Sequence, residues 1–226
     1  MAYSEALFVA AAAGVLLALQ RERWLWASVA CAIGCLTRPT GVALLLAIAV
    51  ALVVNRPDRR HMVMTVVIAP LGALVGFGHV AIATGKLDGW AQLERKPWDS
   101  GFDGGRSAWD SLVNTLSGGS MSSRPPFVMS AVVCIVVVAL VVALLATRPV
   151  AQDAAYALAA AIIGLGGAHY FHCKPRFLGI AFPLFLPSAR LLARLPVPVL
   201  VAGGLIGLGL STWWSTYMLA TWPGSI

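Results

Sequence analysis

Charged side chains are scarce in this sequence, because Asp, Glu, Lys and Arg together account for only 11% of its residues. Hydrophobic residues account for 59%. A single soluble core of this size has no need of so many uncharged runs close to the ~20 residues that span a bilayer. The composition therefore predicts an all-α, polytopic bundle of membrane helices, with one transmembrane domain over residues 1–226. No nucleic-acid partner is expected.

Disulfide and metal-binding chemistry is also poorly represented. The four cysteines form no disulfide framework. Cys31 and Cys35 lie on one short helix without the spacing of a metal site. His169 and His172 could share a helix face, but no carboxylate partner for them is evident in the sequence. We expect no metal and no cofactor.

Other familiar patterns are missing. Residues 1–5 lack the basic region that opens a cleavable signal. The glycine-rich piece 101–105 has neither the spacing nor the strand-to-helix context of a phosphate-binding loop. No internal repeat is visible. The hydrophobic segments are therefore the main source of information.

Seven hydrophobic segments are separated by charged or polar connections. Glycine and proline are frequent within them, as expected where helices pack closely or bend in lipid. A long polar stretch, residues 85–126, follows the third segment. The segments are 6–19, the broken run 24–54, 62–84, 127–147, 154–170, 177–189 and 197–220.

The run 24–54 is the most informative segment, because it contains Arg38 followed by Pro39. As one helix of roughly 30 residues it would be about 45 Å long, whereas a bilayer core is about 30 Å thick. Pro39 also disfavours helical geometry at Arg38 and removes a backbone donor. The run therefore predicts two short helices, 24–36 and 42–54, that meet at a bend. A broken backbone and an ionised side chain at this depth are tolerated only against protein or a wet cavity, so the bend predicts a site.

The distribution of basic residues favours an orientation in which the 24–54 pair dips into the membrane and returns. The short inner loops then carry eight arginines against three acidic residues, whereas the outer stretch 85–126 holds five basic and five acidic residues. Arg38, this loop, Lys174 and Arg176 then gather on the extracytoplasmic face of the cell membrane. The inner arginines are Arg21, Arg23, Arg56, Arg59, Arg60, Arg148, Arg190 and Arg194.

Three cations, Arg38, Lys174 and Arg176, therefore lie near the membrane boundary, where a lipid phosphate would lie. A guanidinium donates to phosphate oxygens in a planar fork, and a lysine acts as a point charge. The three residues are predicted to bind a donor phosphate. The alternative is that they are interfacial anchors whose charged ends reach the lipid headgroups.

The outer loop adds aromatic and acidic groups, and its two tryptophans that interleave with carboxylates are Trp90 and Trp98. Indole faces stack on sugar rings and carboxylates accept hydroxyl hydrogen bonds, so both tryptophans are predicted to contact a sugar or an acceptor. The alternative is a solvated surface loop whose tryptophans belong to the interfacial aromatic belt.

Several motifs together resemble the PIG-V-type mannosyltransferases, relatives of GPI mannosyltransferase 2 within the GT-C class of membrane glycosyltransferases. The loop segment 98–105 and the ending 217–223 are similar to bacterial, particularly actinobacterial, members. The resemblance covers nearly the whole chain in order. Its motifs are Tyr3-Ser4-Glu5-Ala6-Leu7-Phe8, Leu36-Thr37-Arg38-Pro39-Thr40-Gly41, and Lys174-Pro175-Arg176-Phe177 with Pro183 and Pro187.

The resemblance implies transfer of a hexose, usually mannose, from a polyprenyl-phosphate sugar to an extracytoplasmic acceptor. Family members carry the catalytic carboxylate in a loop that precedes the Tyr-Ser-Glu stretch, and this chain starts at that stretch. We therefore expect the C-terminal portion of a GT-C-like fold, incomplete as an enzyme by itself. The acidic residues best placed to substitute as base are Glu5, Asp99 and Asp103.

Two other classes of function stay open. One is a non-catalytic remnant or accessory membrane subunit. The other is a transporter for a lipid-linked solute, since broken helices also serve transporters. The absence of an inverted repeat and the long outer loop argue against the transporter. In each case membrane lipids are expected partners.

Overall fold

The computed structural model describes residues 4–222, with the backbone alone for Pro97 and Trp98. This part of the chain is helical and contains no β-strand beyond an isolated bridge between Phe102 and Gly167. Its helices are α1 Glu5–Gln20, α2 Trp24–Thr37, α3 Val42–Asn55, α4 Arg59–Ile68, α5 Leu71–Thr84, α6 Gly89–Trp98, α7 Arg106–Leu116, α8 Pro125–Ala146, α9 Ala151–Gly166, α10 Lys174–Leu178, α11 Leu186–Leu192 and α12 Val197–Ala220. Short 3-10 helices lie at Pro39–Gly41, Phe171–Cys173 and Phe182–Phe185.

Three runs are long and apolar enough to cross a membrane: Arg59–Thr84, Pro125–Ala146 and Val197–Ala220. Many leucines and valines on these runs are exposed, which is the expected arrangement where the surroundings are lipid rather than water. Shorter apolar helices complete the bundle. The prediction of an all-α membrane helix bundle is confirmed.

The core is built mainly from the shorter helices, with one face of α8. α1 packs along α2, and α3 packs along α9. Small side chains line these contacts and let the helix backbones approach closely, as is common in membrane bundles. Buried alanines of this kind include Ala12, Ala27, Ala43, Ala47, Ala157 and Ala160.

The predicted break in the run 24–54 is confirmed. α2 ends at Thr37, Arg38 has extended backbone angles, and α3 begins at Val42. The chain reverses here. The contact between the two helices shows this, since a Cβ on Gly34 of α2 would lie 2.6 Å from Leu44 Cδ1 of α3. A continuous helix would hold these residues about 15 Å apart.

The two ends of the bundle are marked by Asp153 and by Arg38. At the Asp153 end, Gln20 at the end of α1 donates a 2.8 Å hydrogen bond to Asp153 at the start of α9. At the opposite end, the Arg38 end, the start of α1 meets the end of α2. The arginines predicted to lie inside, such as Arg21 and Arg148, flank the helix termini at the Asp153 end.

Two connections differ from the sequence expectation. The predicted span 62–84 lies within a 26-residue run, but this run divides into α4 and α5 at Ala69 and Pro70, because proline cannot donate to the preceding turn. The polar stretch 85–126 is not an irregular loop, since it forms the two amphipathic helices α6 and α7. Segment 177–189 is likewise divided among short helices.

Candidate functional site

Arg38 is positioned by a tight turn at the end of α2. Its amide donates to the Gly34 carbonyl at 3.3 Å, and its carbonyl accepts from the Gly41 amide at 3.0 Å. A Cβ on Gly41 would lie 2.5 Å from the Cα of Cys35, so only glycine allows the turn to fold this closely against α2. The side chain of Arg38 is 13% exposed and points toward the start of α1.

Glu5 receives this side chain. It lies in the first turn of α1, where a carboxylate is favoured by the helix dipole. Arg38 Nη1 lies 2.7 Å from Glu5 Oε1. Glu5 is 19% exposed, and its second oxygen, Oε2, is buried with no hydrogen-bond partner in the described part of the chain. The contacts of Glu5 are those of a counter-ion.

Arg176 brings a second guanidinium to the same oxygen. It lies on α10, and its Nε is 3.1 Å from Glu5 Oε1. The Phe177 ring underlies both cations, with centroid distances of 5.0 Å to Arg176 Cζ and 5.9 Å to Arg38 Cζ. Such contacts stabilise a guanidinium through the negative face of the ring. We call Glu5, Arg38, Arg176 and Phe177 the arginine cluster; its charged members sum to one positive charge.

Lys174 does not join the arginine cluster. Its side chain is 2% exposed, and its ammonium donates to three backbone carbonyls at the end of α9: Gly164 at 2.8 Å, Leu165 at 3.2 Å and Gly167 at 2.5 Å. A cation at a helix C-terminus satisfies carbonyls that have no intrahelical partner. In the structure Lys174 therefore caps α9, and all three of its possible donors have acceptors.

Trp90 lies beside Arg38. The ring of Phe77 meets the Trp90 indole edge-on at 5.8 Å. The two rings, together with Arg38 and Pro39, line a small, shallow pocket of about 60 Å³ between α2, α5 and α6. The structure thus brings one predicted sugar-contacting residue next to one predicted phosphate-binding residue. The side chain of Trp98 lies outside the described residues, as do Tyr3 and Pro223 of the resembling motifs.

Two acidic residues of the outer stretch, Asp99 and Asp103, lie near the end of α9. Backbone hydrogen bonds from Ala168 to Gly101, 2.7 Å, and from Asp103 to Gly166, 3.1 Å, dock the loop there. Asp99 Oδ2 lies 3.5 Å from His169 Nε2, which supplies the carboxylate partner that the sequence did not reveal. Asp99 is 89% exposed.

Asp103 has a different role in the local structure. Its oxygens accept from the amides of Gly105, at 2.8 Å, and Ser107, at 2.9 Å, at the start of α7. The hydrogen bonds with Ser107 hold the pKa of the Asp103 carboxyl below its usual value, because they favour the charged form. Both oxygens are therefore engaged in holding the helix terminus.

No group of three or more His, Cys, Asp or Glu side chains within residues 4–222 is arranged to hold a metal ion. Cys31 and Cys35 are buried, with their sulfur atoms 4.0 Å apart.

Comparison with known proteins identifies the family of the chain. A family model, glycosyltransferase family 87, matches residues 4–166, well over half of the sequence and including Glu5 and Arg38. The chain belongs to glycosyltransferase family 87. No curated protein and no solved structure matches it. Membership of family 87 confirms the expectation of a membrane glycosyltransferase, whereas the PIG-V-type affiliation is supported by the sequence motifs alone.

Sequence reasoning identified most residues of the candidate site but not the contacts between them. It grouped Arg38 and Arg176 with Lys174 and named Glu5 apart from them as a possible base, but no spacing indicated that both arginines meet one oxygen atom of Glu5. It also overlooked Phe177. For Lys174 a signal existed, because the glycine-rich end of α9, Gly164–Gly167 in sequence, needs a donor for its carbonyls and a lysine follows within two turns.

Proposed function

We propose that this family 87 protein transfers a hexose, with mannose as the expected sugar, from a polyprenyl-phosphate donor to an acceptor on the extracytoplasmic face of the cell membrane. The observation that carries the proposal is the convergence of Arg38 and Arg176 on one oxygen of Glu5. Family membership supports the transferase activity. The resemblance to PIG-V-type enzymes supports the donor and the sugar.

The arginine cluster suits the phosphate of such a donor. Two guanidinium groups supply several donors in fixed planes, and phosphate oxygens accept them in pairs. During transfer the lipid phosphate departs with the electron pair of the bond to the sugar. Arg38 and Arg176 stabilise the charge that develops on it, which lowers the barrier to its departure. We assign no phosphate contact to Lys174, because its ammonium is already surrounded by carbonyls.

The acceptor side of the reaction requires a carboxylate to take the proton of the attacking hydroxyl. Of the three acidic residues predicted from sequence, Glu5 pairs with arginines and Asp103 holds backbone amides. Asp99 has an exposed carboxylate beside His169. We assign Asp99 to the acceptor side, together with the indole of Trp90 beside Arg38.

The direct test is donor use by the Arg38→Ala variant. The chain is reconstituted in lipid with radiolabelled polyprenyl-phosphate mannose, and transfer and donor binding are measured. A hydrogen bond to a charged group contributes about 1.5–3 kcal/mol, so the variant should bind donor about 10- to 100-fold more weakly. Arg95→Ala is the matched control, because Arg95 is an exposed arginine on α6.

The outcomes separate the candidate functions. Unchanged donor binding in Arg38→Ala, with the protein folded, would leave the arginine cluster a structural role only. If the wild-type chain and all variants bind the donor but none transfers the sugar, the accessory-subunit alternative is favoured. Vesicle uptake of a lipid-linked solute without sugar transfer would favour a transporter.

A further inference from the structure

The arginine cluster already contains an anion. Glu5 Oε1 lies within 2.7 Å of Arg38 Nη1 and 3.1 Å of Arg176 Nε, so a bound phosphate would share the two guanidiniums with a carboxylate. The side chain of Glu5 is 19% exposed, that of Arg38 is 13% exposed and that of Arg176 is 30% exposed. Charges in this setting are screened much less than on an open surface.

The net charge of the cluster limits which phosphates it can neutralise. With Glu5 ionised, two guanidiniums leave one positive charge, which one negative charge on a ligand balances. A second negative charge would exceed the positive charge of this cluster of described residues and would face the Glu5 carboxylate. The cost of removing an ion from water also rises steeply with its charge, so an unbalanced dianion is disfavoured.

We infer that Glu5 determines the charge selectivity of this site, so that it accepts a phosphodiester with one negative charge and discriminates against a dianionic phosphate monoester. This inference rests on the proposed function, which assigns the donor phosphate to Arg38 and Arg176. It adds a role for Glu5 that differs from that of a base. The carboxylate stays in place as a fixed part of the site.

The same selectivity favours release of the product. In the transfer step the acceptor oxygen bonds to the sugar carbon, the bond from that carbon to the phosphate oxygen breaks, and a base takes the acceptor proton. The donor is a phosphodiester with one charge. The lipid phosphate that leaves is a monoester with a charge of about −1.5 to −2 near pH 7. Glu5 repels the additional charge, so the site binds the lipid phosphate product more weakly than the donor and the product is released.

The test compares two probes that differ by one methyl group and one charge: methyl farnesyl phosphate, a diester, and farnesyl phosphate, a monoester. Binding is measured at pH 8 with the wild-type chain, Glu5→Gln and Glu5→Asp. Glu5→Gln removes one negative charge, and the repulsion energy that this relieves is about twice as large for a dianion as for a monoanion. In Glu5→Gln we expect about tenfold tighter binding of the diester and about 100-fold tighter binding of the monoester, whereas Glu5→Asp keeps the wild-type ratio.

Glu22→Gln is the matched control for net charge. Glu22 is exposed and follows α1 at the Asp153 end, about 24 Å from Glu5 along a helix of 16 residues. This variant removes the same charge from the protein, yet it should leave the ratio of the two affinities unchanged. A ratio that shifts as much in Glu22→Gln as in Glu5→Gln would overturn the inference.

The remaining outcomes distinguish the inference from the function on which it rests. An unchanged ratio in folded Glu5→Gln, with both probes weakened in Arg38→Ala, would overturn the role of Glu5 and keep the phosphate site. If the affinity for both probes is unchanged in Arg38→Ala and in Arg176→Ala, the phosphate site itself is overturned. If Glu5→Gln does not fold, the wild-type chain still decides, because about tenfold tighter binding of the monoester than of the diester contradicts the inference.

Discussion

The Lys174 ammonium lies 2.5 Å from the carbonyl oxygen of Gly167, the residue that forms the isolated β-bridge with Phe102 of the outer loop. A single buried cation thus holds the end of α9 in the shape on which the loop docks. Arg176, two residues further on, belongs to the arginine cluster. The docking of the loop and the position of the Arg176 guanidinium therefore depend on the same short segment.

Lys174→Met should destabilise the protein, because it leaves three carbonyls at the end of α9 without their donor. A buried polar group that loses its partner costs about 1–3 kcal/mol, so a total loss of roughly 3 kcal/mol or more is expected. Thermal unfolding in detergent measures it. Lys86→Met is the control, since Lys86 is exposed and the one side-chain hydrogen bond described for its ammonium goes to Gln92. Normal stability with weakened donor binding would return Lys174 to the phosphate site.

Gly72→Ala should force α5 away from α2. A Cβ on Gly72 would lie 1.8 Å from the backbone carbonyl oxygen of Ala32, which a helix cannot move aside cheaply. Overpacking of this kind costs about 1–3 kcal/mol. Gly78→Ala, on the same helix, meets nothing within 4 Å and should be neutral or stabilising by up to about 1 kcal/mol. Equal unfolding temperatures for the two variants would contradict the close approach of α2 and α5.

The start of α7 should loosen in acid. Hydrogen bonds with Ser107 hold the pKa of Asp103 below its ordinary value of 3.8, so the unfolded form binds the proton more readily. The stabilisation is therefore fully present above the unfolded pKa and is lost as pH falls through the folded pKa. Fluorescence of Trp109 on α7 and protease cleavage near residue 105 follow the change. Asp103→Ala should abolish this acid transition and destabilise the helix start by about 1 kcal/mol at pH 7.

Phe177→Leu should weaken donor binding without disrupting the bundle. The ring supports both guanidiniums, and a cation–π contact contributes about 0.5–2 kcal/mol, so a loss of about 3- to 30-fold in donor affinity is expected. Phe185→Leu, at an exposed position of the 3-10 helix Phe182–Phe185, controls for loss of an aromatic side chain. Donor affinities that match in the two variants would argue against a supporting role for the ring.

Arg176→Lys tests whether the second cation acts through its shape or its charge. Lysine keeps the charge but not the planar fork, so it should restore only part of the donor affinity that Arg176→Ala loses. The measurement is the donor dissociation constant for both variants beside the wild type. Full restoration by lysine would identify Arg176 as a simple electrostatic anchor.

The helical membrane architecture and the break at Pro39 were predictable from sequence, because both follow from local chemistry. A run of apolar residues has few alternatives to a helix in lipid, and Pro39 disfavours helical geometry at Arg38. The two helices within 85–126 were not foreseen. Both helices are amphipathic with a low overall hydrophobicity, so composition alone suggested a polar loop.

The sequence by itself determined the residue types available to a phosphate site: two arginines, a lysine and an early glutamate, each beside a helix terminus. Only the tertiary structure decided which of them meet. Antiparallel packing of α1 on α2 brings Glu5 to Arg38, and α10 adds Arg176 to the same oxygen, whereas Lys174 turns to the end of α9. The physical reason is that contacts between residues more than 30 positions apart depend on how helices pack, which no local pattern specifies.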